Sequence, residues 1–556
     1  MKIIECVPNF SEGIDLAKIK EITNEIESVN NISLLDVDPG ADTNRTVVTF
    51  VGPPENVVEA AFLSIKKASE ILDMQSHKGE HARMGATDVC PLVPVNGVTM
   101  DECVDLSKLL AERVGRELHI PIYLYENSAS NLERVNLANI RSGEYEGMCE
   151  KLQVHKWKPD FGPTKLHKTA GVTAIGAREF LIAYNINLNS HEKKLASDIA
   201  LDIREAGRAK RNSEGKFERE ADGTIVKVPG SLKSTKAVGW YIDEYKQAQV
   251  SMNLTNFNVT SPHQAFDEVC MQAHKRGLRV TGSELVGLIP LSALLNAGLH
   301  YLHKQGQSQG IPENDIIHIA IKSLGLDDLG EFNPKEKIIE FRVAEKYGAL
   351  ANSSITDFID ELSSNSPAPG GGSVSALAGA LAAGLSAMVG NLTIGKKGFE
   401  DSVTEMNNLA INSQKLKDQL IKLIDDDTNS FNGVIDAIRM PKKTDREIEI
   451  RHVAIQEATK IATYSPLSIL EACASVMPLA KLTASKGNPN SISDAGVAAE
   501  MAHAGAQGGA MNVLINLSDI DDDKFCNEMK IKVENILLTV NEHLMEIRKI
   551  VIAAIL

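Results

Sequence analysis

Residues 366–389, SPAPGGGSVSALAGALAAGLSAMV, decide how the fold is read. A glycine-rich turn feeds a long segment of small residues, and from Ser354 onward the texture is helical throughout. Strand-like alternation is absent, and only Pro441, Pro466, Pro478 and Pro489 follow Gly370. Near the end, Val533, Leu537, Val540, Leu544, Ile547 and Val551 recur at alternating spacings of four and three, which is one face of a long helix. The region 353–556 is therefore expected to be an all-α helical bundle. Its apolar stretch, Ala376 to Val389, is read as too short and too weakly apolar to span a bilayer. The small-residue helix at 375–392 should pack closely on its neighbours.

Working backward, the texture changes near position 340. Leu34–Asp38, Thr46–Val51 and Ile120–Tyr125 read as strands, and Pro54–Leu72 as a helix. A second α/β unit begins after Arg178. Phe180–Leu188, Ala237–Tyr241, Val250–Val259 and Leu278–Ile289 read as its strands. Lys193–Ala206, His263–Arg276, Leu291–Lys304 and Glu313–Leu324 read as helices. The charged stretch Gly207–Gly223 is expected to be a solvated loop, and Ile338–Val343 one strand within a linker. The expected organisation is two α/β (α+β) subdomains, 1–180 and 181–327, a linker at 328–352, and the all-α part at 353–556.

The 556 residues are 43% hydrophobic and 24% charged, the mix of a globular protein. With 58 basic and 74 acidic residues the net charge is −16, which argues against nucleic acid or an anionic membrane as partner. The seven cysteines show no C-x-x-C spacing and read as reduced, mostly buried thiols of a cytoplasmic protein.

The most informative cluster is HKGEHARMGATDVCP at 77–91, titratable groups among glycines before an apolar strand. His77 and His81 are four apart, but Gly79 disfavours a helical zinc pair and no third ligand follows, so no metal is expected. A histidine in such a loop suits general acid–base chemistry.

ECVPNFSEG at 5–13, LLDVDPGADTNRTVVTFVGPPE at 34–55, the 77–91 run and DFGP at 160–163 resemble glutamate formiminotransferase. The 366–389 run and GNPNSISDAGVAA at 487–499 resemble the cyclodeaminase family. Both stand in one chain, in the order of the bifunctional formiminotransferase-cyclodeaminases. The resemblance implies transfer of a formimino group from N-formimino-L-glutamate to N5 of tetrahydrofolate. Closure to 5,10-methenyltetrahydrofolate with release of ammonia would follow, within histidine degradation and one-carbon metabolism. Tetrahydrofolate, with or without further glutamates, would be a co-substrate, with no prosthetic group, and the chain a homo-oligomer.

By the same resemblance His81 is the general base of the transferase. Arg45 and Arg83 would grip carboxylates of the donor, and Asp38 would pair with the base or the folate amine; a structural ion pair is the alternative for Asp38 and Arg45. The segment Gly162, Pro163, Thr164, Lys165, Leu166, His167, Lys168, Thr169, Ala170 and Gly171 would bind folate, with 164–169 departing from the family's more apolar pattern. In LIDDDTNSF at 423–431, Asp427 would be the proton donor of the second reaction. Mutual repulsion among Asp425, Asp426 and Asp427 is expected to help one stay protonated. Lys396, Lys397 and Lys486 are candidates for the folate glutamate tail, and Asn488 and Asp494 further polar candidates. Two rivals remain: a C-terminal part acting as methenyltetrahydrofolate cyclohydrolase, and a non-catalytic folate-binding scaffold.

Overall fold

In the strand Arg45–Gly52, Thr46, Val48 and Phe50 are buried, whereas Arg45, Val47 and Thr49 are half-buried on the opposite face. That two-residue period organises the N-terminal part. A computed structural model describes residues 2–79, 82–343 and 346–556. The chain packs as two units, Met1–Leu294 with Leu324–Ala344, and Leu295–Ser323 with Glu345–Leu556.

Among the described residues, the first unit holds two larger sheets and one two-stranded ribbon. One has seven strands: β1 Ile3–Cys6, β2 Asn9–Phe10, β3 Ser33–Gly40, β4 Arg45–Gly52, β5 Thr87–Asn96, β6 Ile122–Glu126 and β7 Thr173–Ala177, in the order β1–β4–β2–β5–β7–β6 with β3 on β4. β1 and β2 both pair with β4 and with β5, so they form one strand interrupted at residues 7 and 8. The helices Leu16–Glu27, Pro54–Ile71 and Met100–Glu117 bury Ile22, Ile26, Val57, Ile65, Leu110 and Val114 against one face. A capping box of Thr99 and Glu102 starts the third of these helices.

The second sheet is antiparallel, with β8 Ile182–Leu188, β9 Thr235–Ile242, β10 Gln247–Leu254 and β11 Val280–Val286 in the order β9–β10–β8–β11. One face carries a buried amide ladder: Gln249 Nε2 donates to Asn187 Oδ1 at 2.7 Å, and Asn187 Nδ2 donates to Asp328 at 3.1 Å.

The second unit is built on five helices: α1 Gly371–Thr393, α2 Val403–Ile438, α3 Asp445–Lys486, α4 Ile492–Leu517 and α5 Asp523–Ile555. Val533, Val540, Leu544 and Ile547 of α5 are buried, as the periodicity predicts. Helix α3 runs through Pro466, which has no N–H for the Ala462 carbonyl. Asn516 of α4 supplies the missing donor at 3.1 Å. Helix α1 is longer than the apolar stretch read from sequence. By length and composition both α1 and α3 are apolar enough to cross a membrane, though 61% and 56% of the respective windows are buried inside the protein.

Two expectations are corrected. The 207–223 stretch is a ribbon: Arg208–Ala209 pairs with Lys227–Val228, and bridges join Arg211 to Phe217 and Arg219 to Ile225. Its ladder is made by backbone while its charged side chains stay in water, so no alternation marks it. Ile339–Val343 is a short helix and not a strand; only Ile338 bridges, to Ile289. In the stretch expected as a linker, the Leu350 and Ala351 amides are capped by Asp425 at 3.0 and 3.1 Å.

Residues 308–310, between the helices Leu291–Lys304 and Glu313–Leu324, are held through their backbone within the second unit. Gln309 N–H donates to Asn407 Oδ1 at 2.8 Å, and Asn391 Nδ2 donates to Gly310 O at 2.9 Å. A Cβ on Gly310 would lie 2.3 Å from Ala410 Cβ and 2.5 Å from its carbonyl carbon. Gly310→Ala is expected to cost at least about 1 kcal/mol of overpacking. The melting temperature of the helical transition should fall by a few degrees, at roughly 2–4 °C per kcal/mol for a unit of this size. Gly433→Ala, in α2 with open space around it, should raise it by the helix-propensity gain of about 0.5–1 kcal/mol. Calorimetry on both variants checks the opposite signs.

Candidate active sites

The loop bearing His77 and Arg83 is built on the turn between β3 and β4. Asn44, at φ 46°, donates from Nδ2 to Lys78 O at 2.8 Å and accepts the Gly13 N–H at 2.9 Å. His77 Nε2 lies 2.9 Å from Asn44 O, so Nε2 carries the proton, and Nδ1 accepts from Arg83 Nε at 3.3 Å. His81, the expected base, lies outside the described residues. Arg83 does not present a free guanidinium to a substrate. Glu144 takes it at 2.8 Å and Glu146 at 2.7 Å, and its side chain is 12% exposed. Its role in this structure is to pin the loop to the helix Glu144–Lys151.

Beneath the loop, Asp88 is buried. It accepts from Met84 N–H at 2.8 Å and from Arg141 Nε at 2.8 Å. Arg45 shares this field: burial and then Arg141 lower its pKa, while Asp88 and Asp38 oppose the change. Arg45, Asp38, Asp88 and Arg141 therefore form one charged neighbourhood beside the loop.

The 162–171 segment is anchored at both ends. Asp160 accepts the Leu124 N–H at 2.8 Å and pairs with Arg134 at 2.7 Å, both side chains nearly inaccessible. At the other end Val172 N–H donates to Met84 O at 3.0 Å and Ala86 N–H to Ala170 O at 2.9 Å. A Cβ on Gly85 would come within 2.1 Å of Val172 O, so the seam needs glycine there. The expected folate segment and the histidine loop are thus zipped side by side. Between its ends Gly162, Thr164, Lys165 and Lys168 are exposed. His167 Nδ1 accepts the Ala170 N–H at 3.0 Å, and burial, then His119, lower its pKa, so it is a neutral stitch.

A cavity of about 850 Å³ in the first unit is lined from both sheets, including Thr49, Arg178, Ala183 and Val286. Glu5 also lines it at 5% exposure, and burial pushes its pKa up to about 7 against the pull of Arg178.

In the second unit the three aspartates of α2 point apart, because successive helical residues are turned by about 100°. Asp425 caps residues 350 and 351, and Asp426 stays near water, 4.0 Å from Lys422. Asp427 turns inward onto the glycine turn. A Cβ on Gly372 would lie 2.2 Å from its Oδ1, and the Ser373 N–H donates to it. Its pKa is raised, and the cause is burial, with the Ser373 amide opposing; repulsion from Asp425 and Asp426 is not a cause. Ser373 Oγ is itself tied to Ile424 O at 2.8 Å, fixing the start of α1 to the stretch of α2 that carries the carboxyl.

The tail candidates lie elsewhere. Lys396 and Lys397 are exposed beyond the far end of α1, which is about 33 Å long. The Lys486 ammonium is held by Glu405 at 2.8 Å, and Asn488 is buried, capping a single turn at 489–491. Asp494 is in the first turn of α4. Within one chain the structure does not bring these residues to Asp427.

Family models match along the chain: "Formiminotransferase domain, N-terminal subdomain" over residues 3–178, "Formiminotransferase domain" over 183–344 and "Formiminotransferase-cyclodeaminase" over 354–535. The formimidoyltransferase-cyclodeaminase of Rattus norvegicus is 42% identical over 538 residues, 96% of each chain. The chain belongs to the formimidoyltransferase-cyclodeaminase family. A glutamate formimidoyltransferase of Streptococcus pyogenes is 45% identical over 323 residues, 57% of this chain and 99% of its own. A methenyltetrahydrofolate cyclohydrolase of Methylorubrum extorquens is 42% identical over 186 residues, 34% of this chain and 89% of its own.

For a formimidoyltransferase-cyclodeaminase the sequence reading left out Asp88, Arg141, Glu144 and Glu146. Asp88 stood inside the quoted run, but its partner is 53 positions away, and nothing in local spacing marks it. Among the described residues no group of three or more His, Cys, Asp or Glu is placed to hold a metal.

A buried acid with a raised pKa stabilises the folded state below its unfolded pKa, and that contribution is lost as pH rises through the folded value. Asp427→Asn removes the cost of burying an ionised group. It is therefore expected to melt higher than wild type at pH 8. The difference should shrink as pH falls toward the ordinary aspartate value of 3.8, below which the carboxyl is protonated in both states. Melting curves across that range check the sign.

Proposed function

We propose that the chain carries a formimino group from N-formimino-L-glutamate to N5 of tetrahydrofolate and then closes the product to 5,10-methenyltetrahydrofolate, releasing ammonia. The observation that carries this reading is that the chain matches bifunctional relatives along almost its whole length, with an inward-turned acid in the helical unit.

In the first step the N5 amine attacks the amidine carbon and the glutamate nitrogen departs. His81 takes the proton from N5 and returns it to the leaving nitrogen. Arg45 holds a donor carboxylate and Asp38 orients the amine, while Arg83 serves by holding the His81 loop. The segment Gly162–Gly171 lies along the folate. In the second step Asp427 protonates the nitrogen that leaves. We further read the chain as a cytoplasmic homo-oligomer acting in histidine degradation, with tetrahydrofolate as co-substrate and no prosthetic group.

A coupled assay with formiminoglutamate and tetrahydrofolate, reading both ammonia and methenyl absorbance, tests the whole reading. The two chemistries should separate. His81→Ala should lose about 10²–10⁴-fold in transfer, yet still cyclise 5-formiminotetrahydrofolate supplied chemically. Asp427→Asn should transfer normally and accumulate that intermediate. Loss of both activities in either folded variant would contradict independent sites. The cyclohydrolase relative favours a second reading for the helical unit alone; hydrolysis of methenyltetrahydrofolate with no ammonia released from the formimino compound would decide for it.

A further inference from the structure

The glycine turn at the start of α1 has a third neighbour besides Asp427 and Ser373. Asn512, on α4, brings its side-chain amide to the other glycine: a Cβ on Gly371 would lie 3.3 Å from Asn512 Nδ2 and 3.8 Å from its Oδ1. Gly371 and Gly372 are consecutive, with Cα atoms about 3.8 Å apart. Asp427 from α2 and Asn512 from α4 thus flank one short piece of backbone. A Cβ on Gly370, the next residue outward, would meet nothing within 4 Å, so the turn is open on that side.

The amide's orientation is set. Nδ2 donates to Gly508 O at 2.8 Å, one turn back on α4. Oδ1, which accepts from no described residue, remains available at the turn. Gly508 in turn lies against Ser375, where a Cβ would come 2.1 Å from Oγ, and Ser375 Oγ donates to Gly371 O at 2.6 Å. The start of α4's last turns and the start of α1 are therefore locked in register, and Asn512 cannot drift from the glycines without breaking that seam.

Ring closure makes particular demands at this place. N10 forms a bond to the formimino carbon, and the bond from that carbon to the terminal nitrogen breaks. The nitrogen leaves as ammonia with its own hydrogen, the hydrogen lost by N10 and one proton delivered by an acid. Before it leaves, its N–H groups need an acceptor that holds them without removing a proton. A carboxamide oxygen does this, since it accepts hydrogen bonds and does not titrate.

We propose that Asn512 is a further substrate-positioning residue of the deaminase site, its Oδ1 accepting an N–H of the departing nitrogen beside Asp427. This rests on the reading of the helical unit as the deaminase. The residue differs from Asp427 in kind: it fixes the nitrogen and transfers nothing.

The test uses the full chain and 5-formiminotetrahydrofolate supplied chemically, with ammonia release as readout. Asn512→Leu keeps the shape and removes the acceptor; kcat should fall about ten- to hundredfold, the worth of one hydrogen bond to a charged group. Asn512→Asp keeps an acceptor but loses the donor to Gly508, and should stay within about tenfold of wild type. Formimino transfer and helix content, measured on the same samples, should not move. If Asn512→Leu loses helix content, Asn512→Ala replaces it with the same expectation. Wild-type ammonia release in the variant lacking the acceptor overturns the proposal. Equal losses in the Leu and Asp variants do so as well, since they mark the Gly508 bond as what matters. Asp427→Asn run alongside separates the two readings. Normal release there with loss in Asn512→Leu removes Asp427 and keeps Asn512, and the reverse pattern removes Asn512 alone.

Discussion

At Gly372, Gly379 and Gly390 of α1 the space of the missing Cβ atom is filled by atoms of other helices. Asp427 fills it at Gly372, and at Gly379 the Cys473 sulfur would lie 2.5 Å from a Cβ. Gly505 and Gly509 of α4 admit Ser375 O and the Pro466–Leu470 backbone of α3 in the same way. The bundle depends on this backbone-level approach. Interiors are packed as densely as crystals, so a single added methyl group has nowhere to go. The carboxyl of Asp427 reaches the Ser373 amide only because α2 and α1 meet this closely. Its burial, and hence its raised pKa, follow from the same approach.

The first unit holds its candidate site by another device. Charges around the histidine loop are paired: Arg83 with Glu144 and Glu146, Arg141 with Asp88, Arg134 with Asp160. Removing one partner of a buried pair strands the other and costs about 3–5 kcal/mol. Such pairs fix where loops lie. Asn44 and the Gly85 seam then bring the histidine loop against the 162–171 segment. The two sites thus suit different tasks. A loop carrying a base must be held still by its surroundings, whereas an acid that delivers a proton must lack a cationic partner. Among the described residues, the partner of the Asp427 carboxyl is the Ser373 backbone amide.

Much of this was legible in the residues. The alternation of Thr46, Val48 and Phe50 gave β4, and the four-and-three spacing from Val533 gave α5. Small residues announced a close-packed helix, and the quoted runs carried the family. The charged ribbon at 208–228 was not legible, because both its faces are solvated and leave no periodic trace. Ile339–Val343 misled because a short apolar run fits a strand or a buried helical turn equally well. The distance of Lys396, Lys397 and Asn488 from the acid, at the far end of α1, was likewise not legible in the spacing.

Sequence by itself determined the division into sheet-bearing and helical parts, the helix periods and the two chemistries. Those rest on local pattern and on residue type, which a linear string carries in full. Tertiary structure alone decided which of three adjacent aspartates turns inward and what raises its pKa. It also decided that Arg83 is already engaged, and that Asn512 stands beside the glycine turn. These depend on contacts between residues tens to more than a hundred positions apart. Helix rotation and backbone approach set such contacts, and neither is written in the spacing of the residues involved.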